Sequence, residues 1–130
     1  MKKAILTSDA PAPIGPYSQA IQAGDTLYIS GQIAIDPSSG DLVIGNIEDE
    51  THQVLKNIGA ILSEAGFDFS DVVLSTVFIT DMNLFSRINA IYATYFEGKI
   101  PPARATVQVS VLPKFVNIEI SAIAHLGKSK

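Results

Sequence analysis

The 130-residue sequence contains no cysteine. That excludes a disulfide framework, a thiolate nucleophile and a cysteine metal site, and it fits a reducing compartment. Positive charge is also scarce. Nine Lys and Arg stand against 13 Asp and Glu, for a net charge of −4. With no Lys/Arg cluster there is no basic stripe of the kind a nucleic-acid footprint needs, so no nucleic-acid partner is expected.

Long apolar runs are missing too. No stretch is long enough to span a bilayer. The N-terminal Met1-Lys2-Lys3-Ala4-Ile5-Leu6-Thr7-Ser8-Asp9 has no apolar core of a secretion signal, because Ser8 and Asp9 interrupt it. A soluble, cytoplasmic protein without a membrane partner is the expectation. Gly15, Gly24, Gly31 and Gly40 never assemble into a phosphate-cradling GxGxxG or P-loop, and no GxSxG elbow occurs. The two histidines, His52 and His125, lie far apart, and a metal site needs more ligands than these. No metal is expected.

What is present is apolar. The chain is 47% hydrophobic and only 17% charged. One domain of this length buries a respectable core. The surplus of apolar residues suggests surface covered by other copies of the chain, hence a homo-oligomer.

Taken in order, residues 9–17 carry three prolines and a glycine and read as an ordered loop or a lid. Ser18 to Ala23, the Gly24-Asp25 turn and Thr26 to Gly31 read as a β-hairpin. Gly31 interrupts the second strand, which marks a bulge, a close backbone approach or a plain packing glycine. Asp36 to Asp41 is a surface turn by composition.

From about Ile47 to Ala65, the spacing of Val54, Leu55, Ile58, Ile61, Leu62 and Ala65 predicts a helix. Glu48, Asp49 and Glu50 stand near its start and Gly66 at its end. Val72 to Ile79 reads as a central strand covered on both faces. A second helix is capped by Asp81 or Asn83, runs to about Phe96 and is closed by Gly98. Two strands follow. The layout is α+β, two helices covering one face of a mixed sheet, with the other face left for sister subunits.

The last two strands hold the residues most suggestive of chemistry. In Pro101-Pro102-Ala103-Arg104-Ala105-Thr106-Val107, alternation puts Arg104, Thr106 and Gln108 on one face. The prolines stiffen the approach, and an arginine fork suits a carboxylate ligand. Glu119 lies inside Val116-Asn117-Ile118-Glu119-Ile120, where burial would raise its pKa and make it a candidate for proton transfer. An arginine and a glutamate on neighbouring strands equally describe a structural ion pair. Tyr17 follows the proline-rich loop, as a ring closing a pocket or as a loop anchor. Asn89 on the second helix reads as a surface residue.

Three blocks, Ala12-Pro13-Ile14-Gly15-Pro16-Tyr17-Ser18-Gln19-Ala20, Leu27-Tyr28-Ile29-Ser30-Gly31-Gln32, and Pro102 to Val107 with Ile118-Glu119-Ile120, occur in this order. Together they resemble the RidA (YjgF) family of enamine/imine deaminases, small homotrimers of chorismate-mutase-like fold, over the full length as a single domain. The resemblance implies that Arg104 holds a substrate carboxylate and that the backbone at Gly31 and Thr106 brackets the amino or imino group. It implies that Glu119 positions or activates the attacking water and that Tyr17 and Ser30 shape the pocket. Asn89 would lie near the neighbouring subunit's edge. Many members carry Cys where this chain has Thr106, so a mechanism requiring a thiol there is excluded.

By this resemblance the protein is a 2-iminobutanoate/2-iminopropanoate deaminase that binds a small imine or 2-oxo acid through its carboxylate and needs neither metal nor cofactor. The alternatives are a non-catalytic small-carboxylate-binding or protein-interaction module, and an endoribonuclease or translation inhibitor, the latter disfavoured by low basicity.

Overall fold

The computed structural model describes residues 1–127. Six strands form one sheet: β1 (Lys2–Ile5), β2 (Ala20–Ala23), β3 (Thr26–Gln32), β4 (Val72–Ile79), β5 (Ala103–Gln108) and β6 (Ile118–His125). Two helices, α1 (Ile47–Glu64) and α2 (Phe85–Thr94), pack on one of its faces. The strand order is β1-β2-β3-β6-β4-β5, antiparallel throughout except for the β4–β5 pair. Parallel neighbours require a crossover, and α2 supplies it.

Helix α1 forms where the apolar spacing predicts. Asn46 caps it by accepting from the Asp49 N–H, and Gly66, at φ 82°, closes it in the left-handed region that favours glycine. Its stripe of Ile47, Val54, Leu55, Ile58, Ile61 and Leu62 is buried against Leu27, Ile29, Ile118 and Ile120 of the sheet. Arg87 of α2 makes a two-armed contact with Glu48 of α1, at 2.7 and 2.8 Å. That hydrogen bonding holds the Glu48 carboxyl down to about 2.

One strand lies where the sequence carried no assignment, and two features differ from expectation. The N-terminal residues form strand β1, although Lys2-Lys3-Ala4 has little strand character. It is a short edge strand paired only with β2, where lysines guard against further pairing. β4 is not covered on both faces, since Val73 and Leu74 are exposed on the side away from the helices, and only β5 separates it from the sheet edge. The second helix is shorter than predicted. Asp81 caps a 3₁₀ turn (Met82–Leu84), and the α-helix proper begins at Phe85.

The sheet face away from the helices carries exposed Tyr28, Leu74 and Val107. One corner of it is covered by a second apolar cluster, in which Ile33, Ile35, Leu112 and Val116 pack with Phe78.

Candidate active site

Glu119 sits on the open face of the sheet. Along β6, Ile118, Ile120, Ala122 and Ala124 alternate inward toward the helices, which turns Glu119 outward, opposite Phe78 of β4. The glutamate is half-buried, and its carboxylate has no hydrogen-bond partner among the described residues. Desolvation pushes its carboxyl above the ordinary value of 4.5.

Room for that carboxyl is made by Gly31. The β3–β6 register shifts between Ile29 and Gln32, so Gly31 lies in a bulge. A Cβ there would stand 2.5 Å from Glu119 Oε2 and 2.8 Å from its Cδ. The glycine's φ is not positive, so missing volume, not backbone conformation, is what the position requires. Of the readings open for Gly31 from sequence, bulge and close approach both hold. The approach is by a side chain.

Around this carboxyl, Ile14, Tyr17, Ser30, Gly31 and Pro113 line an open cleft of about 320 Å³. The proline-rich loop that contributes Ile14 and Tyr17 is ordered by buried Gln19. Its Oε1 accepts from the Thr7 N–H at 2.7 Å, and its Nε2 donates to the carbonyls of Thr7, Ala10 and Pro11 at 2.9 to 3.3 Å. The Tyr17 hydroxyl accepts from the Ile14 N–H, so the ring is both loop anchor and cleft wall. The Ser30 hydroxyl donates to the Ser18 carbonyl at 2.6 Å, so its oxygen keeps only accepting capacity for a ligand in the cleft it lines.

Arg104 lies elsewhere. In the β4–β5 register it stands beside Ser75, whose side chain faces the helices, and so it points to the helix side. There its guanidinium packs over the Tyr92 ring at 4.8 Å and near Phe85 at 5.5 Å. Nη1 donates to Asn89 Oδ1 at 2.8 Å. The Tyr92 hydroxyl is itself held by Ser75 Oγ at 2.5 Å. Asn89, Tyr92, Lys99, Pro101 and Arg104 border a second open cleft of about 390 Å³.

Among the described residues no carboxylate pairs with Arg104, the one ion pair there being Arg87–Glu48. Arg104, Thr106 and Gln108 do share one face, as alternation predicts. Gln108 Oε1 accepts from the Met82 N–H ahead of α2.

The structure therefore brings Tyr17, Ser30, Gly31 and Glu119 together, and separately Arg104 and Asn89. The strands of Arg104 and Glu119 are not neighbours, because β4 runs between them, and within one chain the sheet itself separates the two side chains. Thr106 is half-buried on the Arg104 side. Asn89, read from sequence as surface, holds the guanidinium. His52 is engaged with the Tyr95 hydroxyl and His125 with Thr26, both at 3.0 Å.

The family pattern described as endoribonuclease L-PSP matches residues 7–126. A solved protein of the Rid family, YyfA from Yersinia pestis, superposes with a TM-score of 0.95 at 53% identity, over 97% of this chain and 100% of that one.

The chain belongs to the RidA (YjgF) family.

Among its relatives in that family, the 2-iminobutanoate/2-iminopropanoate deaminase of Mus musculus is 54% identical over 127 residues, 98% of this chain and 93% of that protein. The E. coli protein TdcF, solved with bound serine, matches with a TM-score of 0.93 at 40% identity, over 96% of this chain and 99% of its own. The architecture described above, two helices on a six-stranded mixed sheet, is that of the Rid proteins.

Glu50, which the sequence presents only as one of three acids near the helix start, is fully buried. It accepts from the Asn117 N–H and Nδ2 and from the Ile118 N–H. Glu50 falls on the same helical stripe as Val54 and Ile58. A polar residue at an apolar-stripe position is the signal that identifies it.

Proposed function

We propose that this protein hydrolyses 2-imino acids, the tautomers of 2-aminoacrylate-type enamines, to 2-oxo acids and ammonia in a site built between two copies of the chain. Arg104 of one copy clamps the substrate carboxylate, and Glu119 of a neighbour activates water. The reading rests on Glu119, a half-buried carboxylate with no partner among the described residues, laid into the space that Gly31 leaves open. The naming of curated relatives as deaminases of 2-iminobutanoate and 2-iminopropanoate supports it.

The chemistry follows from the groups present. A 2-imino acid offers a carboxylate and an adjacent C=N carbon. The free edge of the Arg104 guanidinium, with Nη1 already held by Asn89, suits a two-point grip on the carboxylate. Water adds to the imine carbon while Glu119 takes one of its protons and hands it to the nitrogen, where the C=N electron pair becomes the new N–H bond. The resulting carbinolamine collapses as Glu119 takes the proton of its hydroxyl and delivers it to the departing nitrogen. The C–N bond breaks, a C=O bond forms, and ammonia leaves. Such imines hydrolyse unaided in water, so orientation and one acid/base group meet the demand. Gly31 and Thr106 offer backbone groups, and Tyr17 and Ser30 form the wall.

Three copies in a closed ring would give three equal sites and cover the apolar face bearing Tyr28, Leu74 and Val107. Mixing tests this directly. Arg104→Ala and Glu119→Gln variants, each strongly impaired alone when assayed with substrate well below KM, are unfolded together and refolded as mixed assemblies. With random association about a quarter of the interfaces regain both side chains, and ammonia release should return to about that fraction of the parent. Mixed assemblies as inactive as the separate variants would exclude a shared site.

Gly31→Ala is expected to push the Glu119 carboxyl aside and lower kcat by about tenfold to a hundredfold. The displaced group is the end of a half-exposed side chain, so the thermal midpoint should stay close to the parent's. Calorimetry and 2-oxo acid formation measured on the same sample check both halves.

A further inference from the structure

Two backbone stretches meet where Glu119 lies over Gly31, and both are gripped from behind by helix α1. Ahead of Glu119, the carboxylate of Glu50 accepts from the Asn117 N–H at 2.7 Å, the Ile118 N–H at 3.2 Å and Asn117 Nδ2 at 2.7 Å. Beyond Gly31, Asn57 Nδ2 donates to the carbonyls of Ile33 and Ile35, at 3.1 and 3.0 Å. Glu50 and Asn57 are both buried, at 0% and 1% exposure, seven residues apart on one face of the helix.

The stretch held by Glu50 does not settle there of its own accord. Lys114 and Phe115, just upstream, both have positive φ, at 55° and 59°, in a region that disfavours side chains. The same turn carries Pro113, a wall of the Glu119 cleft. The Glu119 carboxylate has no hydrogen-bond partner among the described residues, so the course of the β6 backbone, paired with β4, sets where it lies. The β3–β6 register is already broken at the bulge, and slippage by one residue would turn Glu119 to the other face.

We propose that Glu50 and Asn57 are positioning residues, a two-point clamp in helix α1 that sets the bulge register and so lays the Glu119 carboxyl against Gly31. Neither touches substrate. The proposal rests on the reading of Glu119 as the water-activating group, and it makes α1, on the far side of the sheet, part of the catalytic apparatus.

The test uses Asn57→Leu and Glu50→Leu, which keep bulk while removing the bonds, and Asn117→Ala, which removes only the side-chain contact with Glu50. Folded variants should lose about tenfold to a hundredfold in kcat, with Asn117→Ala at the low end. KM should stay within about twofold, because the carboxylate grip belongs to Arg104 on β5. In parallel, the Glu119 carboxyl is titrated by NMR in chains carrying labelled glutamate. Loosening of the approach to Gly31 admits water, and the Glu119 midpoint should fall back toward the ordinary carboxylate value.

Unchanged kcat in a folded variant, or lower kcat with an unmoved Glu119 titration, would overturn the clamp. If a leucine variant does not fold, Asn117→Ala decides by the same two readouts. Absence of ammonia release from the parent protein would instead defeat the deaminase reading, and the titration would still decide whether α1 places the carboxyl.

Discussion

Arg104→Ala should lower kcat/KM for freshly generated 2-iminopropanoate by about 10²- to 10³-fold. The estimate starts from two charge-assisted hydrogen bonds to the substrate carboxylate, together worth roughly 3–4 kcal/mol, with each 1.4 kcal/mol a factor of about ten. In the proposed site the carboxylate would be held before and during the reaction alike, so most of the loss should appear in KM. Arg104→Lys should fall between, because a lysine keeps the charge and loses the planar fork that Asn89 orients. The alanine variant also loses the packing of the guanidinium on Tyr92, worth about 0.5–1 kcal/mol at an exposed site, and should remain folded. Near-parental kcat/KM in a folded Arg104→Ala protein would remove this residue from the site.

Glu119→Gln should act on the other parameter. Removal of a general base lowers kcat by about 10²- to 10⁴-fold and leaves KM nearly unchanged. The pH profile carries a second signature. Burial raises the Glu119 carboxyl above 4.5, and the water-activating form is the deprotonated one. The parent kcat/KM should therefore fall on the acid side through a limb lying above the ordinary carboxylate range, and the glutamine variant should lack that limb.

Stability runs the opposite way. The folded chain binds this proton more tightly than the unfolded chain, so the buried charge opposes folding increasingly as pH rises from the unfolded value through the folded one, and fully above it. Glutamine removes that opposition. A higher thermal midpoint together with lost activity at neutral pH is the expected pair. An unchanged acid limb in Glu119→Gln would assign the proton transfer to another group.

Local patterns made much of the fold legible in the sequence. The apolar spacing in α1 announced the helix and the face it buries, and Gly66 announced its end. Gly31 was legible as a bulge, a close approach or a plain packing glycine, and it took the course of β6 to choose among them. β1 was not legible, since its short lysine-bearing run becomes a strand only through β2. The separation of Arg104 from Glu119 was hidden for a similar reason. Strands adjacent in sequence read as neighbours in space, whereas the parallel pairing of β4 with β5 leaves β6 on the other side of β4. Residue types at the site were visible one by one, but which face each occupies depends on strand order and on a bulge, both set by tertiary packing. The role of Glu50 was concealed by its neighbours Glu48 and Asp49, which made a buried anchor look like one of three solvated acids.

The bonds that Gln19 makes to residues 7, 10 and 11 have a kinetic consequence. They fasten the start of the loop that walls the Glu119 cleft to the body of the protein, and relaxation-dispersion measurements are expected to find no microsecond-to-millisecond gating step at that wall. For a reactant that decomposes unaided, a standing entrance is the better arrangement, because each collision then competes against spontaneous breakdown without waiting for a segment to swing aside. Throughput at low reactant supply is then governed by the frequency of encounter.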